Sequence, residues 1–566
     1  MLKLIPQPKK VVYKDGLLKY SSVKPIHDGV DKRVLNVLNK LPLSDSGVKL
    51  IYDIKDGDAE SYTIKIDSDL ITINANGVKG AFYATQTLRQ IFLNKSIPCC
   101  VINDEAGFSY RGFYHDITRG KIPKLETLKG LIDQMAFYKY NSLQLYVEHV
   151  FEFEETEDVI KRTGYITKNE LQELDEYCKQ NFIEFIPSLS TFGHMYELLS
   201  TEEYKNLSVL KDYIDPPNLW CARMIHHTID PRKPDSINLV KSLIDQYMPC
   251  FTSDTFNICC DETFDLKKEC GDKEKELYVE FVKKIISHVK SKDKKVMMWA
   301  DILLAYPETI SMLPEDTIFL NWDYRENPEE ANVECFSKLN RKQIVCPGTW
   351  TWNNYCENLN CSKSNICKMA EYGYKYGAIG MLTTNWGDYN NVCSLELSTY
   401  GFVLGAEKSW NPMLIIDNDF ENRLNFITYG FEKATDYLWN LVDLQSDVSF
   451  SDMCYFLSEV KANMPVDSKY KLGIDLILQK RELYKKIITD LQSENWLKGN
   501  FKQEFIIALQ GIMTILDVNV KYFYPELEAL VDIDEWYKNY SESWLEYNKP
   551  SELYRIKELY FDFGNK

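Results

Sequence analysis

The chain has 566 residues, too many for a single core and enough for two to four domains. Its 45% hydrophobic content fits a folded globular protein, and a formal charge of −18 excludes the broad positive face that nucleic-acid binding requires. The start, "MLKLIPQPKKVVYKDG", holds no apolar run of signal-peptide length, and no long uncharged apolar run marks a membrane span.

The expectation is a cytoplasmic protein with no nucleic-acid or membrane partner. Fifteen cysteines, odd in number and scattered, suit reduced thiols in a reducing compartment. Cys356, Cys361 and Cys367 lie close together in "CENLNCSKSNIC", but no C-x-x-C pair or nearby histidine completes a zinc set. No metal or organic cofactor is expected.

In chain order, "ESYTIKIDSDLITINAN" alternates Tyr62, Ile64 and Ile66, then Ile71 and Ile73, about the turn formers Asp67-Ser68-Asp69, which predicts a hairpin. "GVKGAFYATQTLRQIF" follows with Ala81, Ala84, Leu88 and Ile91 at helical spacing. Residues 1–106 therefore read as a small α+β domain. From Phe108 the rhythm changes. Strand candidates "YRGFYHDI", "SLQLYV", "FIEFIPSLS", "FNICCDE", "KVMMWADI", "IFLNWDY", "QIVCPGTW" and "GAIGMLTTNW" are mostly separated by helix-length stretches. Eight such units over 107–405 predict an α/β fold, a (β/α)8 TIM barrel, and several carry polar or aromatic residues at the C-terminal ends where such barrels place their chemistry. A doubly wound sheet is the weaker alternative, because no glycine-rich phosphate loop follows any strand. Residues 406–566 read as a helical domain, with Ile477, Tyr484, Ile488 and Leu491 on one helical face and "FKQEFIIALQGIMTILDVNVKYF" as another long helix. This domain could form a homodimer contact or roof the active site, and its sequence does not choose.

The apolar run Ile258-Cys259-Cys260 ends in two adjacent acids, Asp261 and Glu262. Three other Asp-Glu dipeptides, Asp104-Glu105, Asp175-Glu176 and Asp534-Glu535, read as surface pairs; the buried strand ahead of Asp261 sets this one apart. Strand side chains alternate, so both acids serve one pocket only if the strand ends there and its backbone turns. Such a pair suits glycosidic bond cleavage, which needs a proton donor at the leaving oxygen and an anion near the oxocarbenium centre. Adjacent residues cannot easily straddle a sugar ring at the roughly 5 Å separation of an acid and a protein nucleophile. A 2-acetamido sugar carries its own nucleophile, the carbonyl oxygen, at an effective molarity of roughly 10⁵ M or more.

The motifs "IPQPKKV", "GAFYATQTLRQI", "YRGFYHDITRGKIPKLETLKGLID", "TFGHM", "ICCDET", "WADI" and "NWGD", in that order over residues 1 to about 400, resemble glycoside hydrolase family 20, the β-N-acetylhexosaminidases, and more closely its intracellular bacterial three-domain members. The resemblance implies an N-terminal α/β domain before a (β/α)8 catalytic barrel. It implies Asp261 as the acetamido-orienting acid and Glu262 as general acid/base. It further implies Arg111 of "YRGF" as the arginine gripping the sugar hydroxyls, His194 of "TFGHM" as a pocket histidine, and Asp388 of "NWGD" as a hydroxyl-binding carboxylate. Glu148 falls where the family commonly has an acid after the second strand. Trp299, Trp322, Trp352 and Trp386 stand at or just after strand ends as candidates for an aromatic cage, one of them plugging the barrel top instead, and Tyr324 could line the same pocket.

The chain departs from the family pattern at Cys259, where many relatives have glycine, and in lacking a clear counterpart of the tyrosine that donates to the acetamido carbonyl. Tyr355 is a candidate with the wrong spacing. The implied activity is exo-acting, retaining hydrolysis of terminal β-linked GlcNAc or GalNAc from an oligosaccharide or glycoconjugate. Its rivals are an exo-β-glucosaminidase acting on the de-acetylated sugar and a catalytically silent sugar-binding barrel.

Overall fold

The computed structural model describes residues 1–566 apart from 27–28, 212–222, 463, 494–499 and 562–566. Strands β1 (Lys10–Leu17), β2 (Val23–Ile26), β3 (Val48–Ile54), β4 (Asp58–Ile66), β5 (Leu70–Gly77) and β6 (Pro98–Asp104) form one sheet in the order β1-β6-β4-β5-β3-β2. The expected hairpin is β4–β5, closed by the Asp67 N–H donating to Leu70 O at 2.9 Å. Its alternation is real: Tyr62, Ile64, Ile66, Ile71 and Ile73 are buried beneath the helix Val78–Ile91, while β1 stays largely exposed.

All eight expected barrel strands form: β7 (Tyr110–Asp116), β8 (Ser142–Val147), a third position split into β9 (Glu184–Phe185) and β10 (Ser188–Leu189), then β11 (Thr255–Asn257), β12 (Lys295–Trp299), β13 (Ile318–Trp322), β14 (Gln343–Cys346) and β15 (Gly380–Asn385). Every pairing is parallel, and β15 closes on β7 from Gly380↔Tyr110 to Asn385↔His115. Apolar side chains of alternating barrel positions, among them Tyr114, Tyr146, Met297, Leu320 and Leu382, fill the interior as a core of their own.

The first domain is welded to the lower, N-terminal end of this barrel by buried charges. Arg111, fully buried at the start of β7, donates to Glu60 Oε2 at 2.7 Å, to Phe108 O and Lys139 O at 2.9 Å, and to Tyr83 Oη at 3.2 Å. Lys139 Nζ in turn lies 3.0 Å from Asp104 Oδ2, whose other oxygen accepts from Trp410 Nε1 at 2.9 Å. Each buried ion is paired, which is the condition for tolerating it. Asp104 is thus an interdomain acceptor and not a surface acid; Asp175 is also buried, accepting from Thr252, while Asp534 is exposed in a first helical turn.

The expected boundary at 405 falls inside the last barrel helix, Thr399–Trp410. Beyond it the described residues form helices and no strand, including Ile474–Ser493 and Asn500–Phe523. Ile477, Tyr484 and Leu491 are buried as expected, with Ile487 taking the deep position and Ile488 partly buried beside it. Helix Asn500–Phe523 is long and apolar enough to cross a membrane, but 78% of its apolar window is buried inside the protein, as befits the core helix of this domain. Every described cysteine is free of disulfide.

Candidate active site

The chain leaves β11 through three residues in the left-handed region, Cys259 (φ 55), Cys260 (φ 68) and Glu262 (φ 49). This turn abolishes strand alternation and brings Asp261 and Glu262 to one side. Left-handed φ at Cys259 also explains why a glycine suits that position. Neighbouring side chains hold the turn: Asn257 Oδ1 accepts from Cys259 N–H at 2.9 Å, Asp301 Oδ2 accepts from Glu262 N–H at 2.9 Å, and Tyr278 donates to Cys260 O at 2.7 Å. A Cβ at Gly193 would come within 2.3 Å of Asp261 O, so only glycine lets the "TFGHM" loop approach so closely.

That approach sets His194 against both acids. Its Nε2 is 3.4 Å from Asp261 Oδ2 and 3.2 Å from Glu262 Oε2, and its Nδ1 is 3.9 Å from Glu148 Oε1. Burial opposes charge on His194, but Asp261 and Glu262 outweigh it and hold the imidazolium well above its ordinary range. Glu148 accepts from Tyr146 Oη at 2.7 Å; burial pushes its carboxyl up, and His149 and His194 pull it below the usual range. Asp301, half-buried with its Oδ1 shielded from solvent, is pushed up to about 7 by desolvation and by the Asp261 carboxylate. The Asp261 side chain is 12% exposed and its Oδ1 is buried without a hydrogen-bond partner, whereas the Glu262 side chain is 29% exposed.

The second half of the site surrounds Arg119. Its Nε lies 2.7 Å from Asp116 Oδ2 and its Nη1 2.7 Å from Asp388 Oδ1, with the guanidinium over the rings of Tyr146 and Trp386. Asp116 ends β7 and also accepts from the N–H groups of Thr118, Arg119 and Gly387, tying the first and eighth strand ends together. Burial raises the Asp388 carboxyl despite Arg119, with Asp116 and Glu262 adding to the rise. Arg119 therefore occupies the place expected of Arg111, which stands at the other end of the strand in the interdomain seam. The expectation for Arg111 is corrected: its donors are spent on Glu60, Tyr83 and backbone carbonyls, and none points to the pocket.

The aromatics divide by depth. Trp299 is buried under Tyr114 and Trp386, at 5.2 and 5.8 Å between ring centroids, and plugs the barrel top. Trp386 donates from Nε1 to Tyr324 Oη at 2.7 Å. Tyr324 stacks on Trp322 at 4.9 Å and meets Trp352 at 5.3 Å, forming a half-buried wall extended by Trp350, which was not singled out from the sequence. Tyr355 is elsewhere: it is buried against the helical domain, with Oη 2.9 Å from Tyr560 Oη.

Among the described residues, His194, Asp261 and Glu262 are the one group whose donors have metal-compatible spacing, all within 4.8 Å. An imidazolium bridging two carboxylates satisfies the same geometry without a cation. Cys356, Cys361 and Cys367 form no such group among the described residues.

A family model for the glycosyl hydrolase family 20 catalytic domain matches residues 108–411, and one for domain 2 of that family matches residues 1–105. This chain belongs to glycosyl hydrolase family 20. Within the family, it is 24% identical over 329 residues to a beta-hexosaminidase of Porphyromonas gingivalis, covering 51% of this chain and 40% of that one. A beta-hexosaminidase of Akkermansia muciniphila is 31% identical over 167 residues, 24% of this chain and 34% of its own. The chain thus spans less than two thirds of these two relatives' length. In fold, it resembles the Flavobacterium johnsoniae chitobiase (TM-score 0.60, 16% identity, 95% of this chain and 96% of that one). It also resembles a Vibrio harveyi exo beta-N-acetylglucosaminidase in complex with N-acetylglucosamine (TM-score 0.59, 18% identity, 75% and 76%). The family 20 barrel and first domain agree with the sequence reading.

Proposed function

We propose that this chain is an exo-β-N-acetylhexosaminidase that removes terminal β-linked GlcNAc or GalNAc by retaining, substrate-assisted hydrolysis. One observation carries the reading: Asp261 Oδ1 is a buried acceptor with no hydrogen-bond partner, two residues beyond Cys259, which shares one apolar cluster with Trp299 and Trp386 against which Trp322, Tyr324 and Trp352 pack. A buried unpaired acceptor is costly, and the N–H of an acetamido group supplies the missing donor.

In the proposed mechanism Asp261 takes that N–H and turns the acetamido oxygen onto C1. Glu262, the more accessible acid, protonates the leaving oxygen. The C1–O bond breaks as the C1–O(acetamido) bond forms, and Asp261 balances the positive charge of the oxazolinium-type ring. Glu262 then takes a proton from water, which opens that ring at C1 with net retention. Asp388 and Arg119 bind the sugar hydroxyls as acceptor and donor, and Tyr324, whose oxygen is already reached by Trp386, is the residue best placed to donate to the acetamido carbonyl. The free cysteines support the cytoplasm as the compartment.

Initial rates on aryl β-glycosides of GlcNAc, GalNAc and unacetylated glucosamine, with Asp261→Ala as control, test the reading. Turnover restricted to acetamido sugars and abolished in the variant supports substrate assistance. Preference for the free amine moves the chain to the glucosaminidase reading, and binding of GlcNAc without turnover moves it to a silent sugar-binding barrel.

A further inference from the structure

The C-terminal segment reaches the loop that carries Arg119. Its backbone pairs with the loop that follows β7: Lys124 N–H donates to Tyr547 O at 2.9 Å, Lys549 N–H to Ile122 O at 2.8 Å, and Glu552 N–H to Gly120 O at 3.3 Å. Gly120 directly follows Arg119, and a Cβ there would come within 2.4 Å of Asn390 O on the loop after β15. Arg119's loop is therefore gripped between the eighth-strand loop and the end of the chain.

A second connection runs through side chains. Glu552, 1% exposed, accepts from Arg223 Nη2 at 2.6 Å. Arg223, 5% exposed, donates from Nη1 to Asp388 O at 3.1 Å, and Asp388 Oδ1 is the oxygen that holds Arg119. The contacts close a ring: Glu552 to Arg223, to Asp388, to Arg119, to Gly120 and back to Glu552. Arg555 adds a branch, with Nε 3.0 Å from Glu552 Oε1 and Nη2 3.5 Å from Glu197 Oε1, just beyond His194 on the third-strand loop.

We propose that Glu552 is a positioning residue: acting through Arg223 and the Gly120 loop, it fixes the Asp388–Arg119 pair at the spacing that receives the sugar hydroxyls, so that the helical domain completes the substrate pocket. This rests on the reading of the pocket as a sugar site. The ring explains why charges are buried so far from the reacting acids, because an isolated buried ion pair is a weak source of stability but a good determinant of geometry. Of the two roles open to the helical domain from its sequence, a contribution to the active site is the one these contacts favour.

The test uses the full chain and three readouts. Glu552→Gln should speed amide hydrogen exchange in segments 116–124 and 386–391, and raise KM for an aryl β-GlcNAc glycoside on the order of 10- to 100-fold, with a smaller change in kcat. It should also lower Tm, since Arg223 is left buried and unpaired. The double variant Arg223→Met/Glu552→Gln removes that charge and should regain Tm without regaining KM. Wild-type exchange and KM in a variant with lowered Tm would show the pair to be merely structural and overturn the proposal. If Glu552→Gln does not fold, Arg223→Lys keeps the charge pair but loses the fork that reaches Asp388 O, and the same two outcomes apply. If the wild-type chain turns over no hexosaminide, the functional reading fails, while the exchange rates still decide whether Glu552 positions these loops.

Discussion

His194 Nε2 stands 3.2 Å from Glu262 Oε2, and the same nitrogen is 3.4 Å from Asp261. One imidazole therefore faces both acids of the pair, and it does so only because the left-handed turn at Cys259 and Cys260 has brought them together. His194→Gln removes that imidazole and should lower kcat/KM by roughly 10²-fold. The folded-state pKa of His194 is raised above the unfolded value, so its stabilisation is fully present below about pH 6.5 and fades as pH rises through the folded value. The Tm deficit of His194→Gln should thus be largest in acid and shrink in alkali, a trend read from thermal melts across pH.

Glu262→Gln should cost about 10² to 10⁴ in kcat on poor leaving groups and much less on activated aryl glycosides, which need little proton donation. A Brønsted series of aryl β-GlcNAc glycosides measures this directly. Equal losses across the series would remove Glu262 from the role of proton donor.

Asp301 accepts from Glu262 N–H through Oδ2 and is pushed up to about 7 by burial and by Asp261. A raised carboxyl favours the fold in acid, and that contribution is lost as pH rises from the unfolded value toward 7. Asp301→Asn keeps an acceptor for the amide and removes the titration. Its Tm should draw ahead of wild type between about pH 4 and pH 7 and hold that lead above, with thermal melts as the measurement.

The two arginines near β7 should separate cleanly. Arg119→Lys loses the fork joining Asp116 to Asp388, and kcat/KM should fall at least 10-fold with Tm little changed. Arg111→Met leaves Glu60 without its cation and should destabilise the chain by about 3 kcal/mol, with the kinetics of the folded fraction intact. Denaturant melts and initial rates on both variants decide the assignment.

That pair also shows what could be read from the chain and what could not. Strand periods and the order of motifs were enough for the barrel, because parallel strands buried on both faces must be apolar runs. They were enough for Asp261 and Glu262, because a buried run ending in two acids needs a reason. They failed at Arg111 because a strand of seven residues spans about 20 Å, so two arginines eight positions apart sit at opposite mouths of the barrel. The signal for Arg119 was present in "HDITRGK", an acid at a strand end with an arginine three residues later and a glycine after it. Arg223 and Glu552 were beyond reach of any local pattern, since their roles arise from contacts between segments distant in the chain; Asp301 lies in the "WADI" motif, but its bond to the Glu262 N–H shows only in the fold. The cage divided as depth dictates: Trp299 faces the packed interior, while Trp322 and Trp352 stand where the barrel opens.

The approach of Gly193 to Asp261 O joins residues 68 positions apart, with most of a barrel unit between them. Three left-handed residues within four positions hold their conformation only when their surroundings impose it, and the loop of Gly193 and His194 is part of those surroundings. During synthesis, then, the Gly193 loop emerges before the acids it helps to aim. Contacts of such sequence separation form late, after the loops they close have lost their entropy. Recovery of turnover on refolding should consequently lag the return of secondary structure, and the two acids take up their places only as the barrel closes.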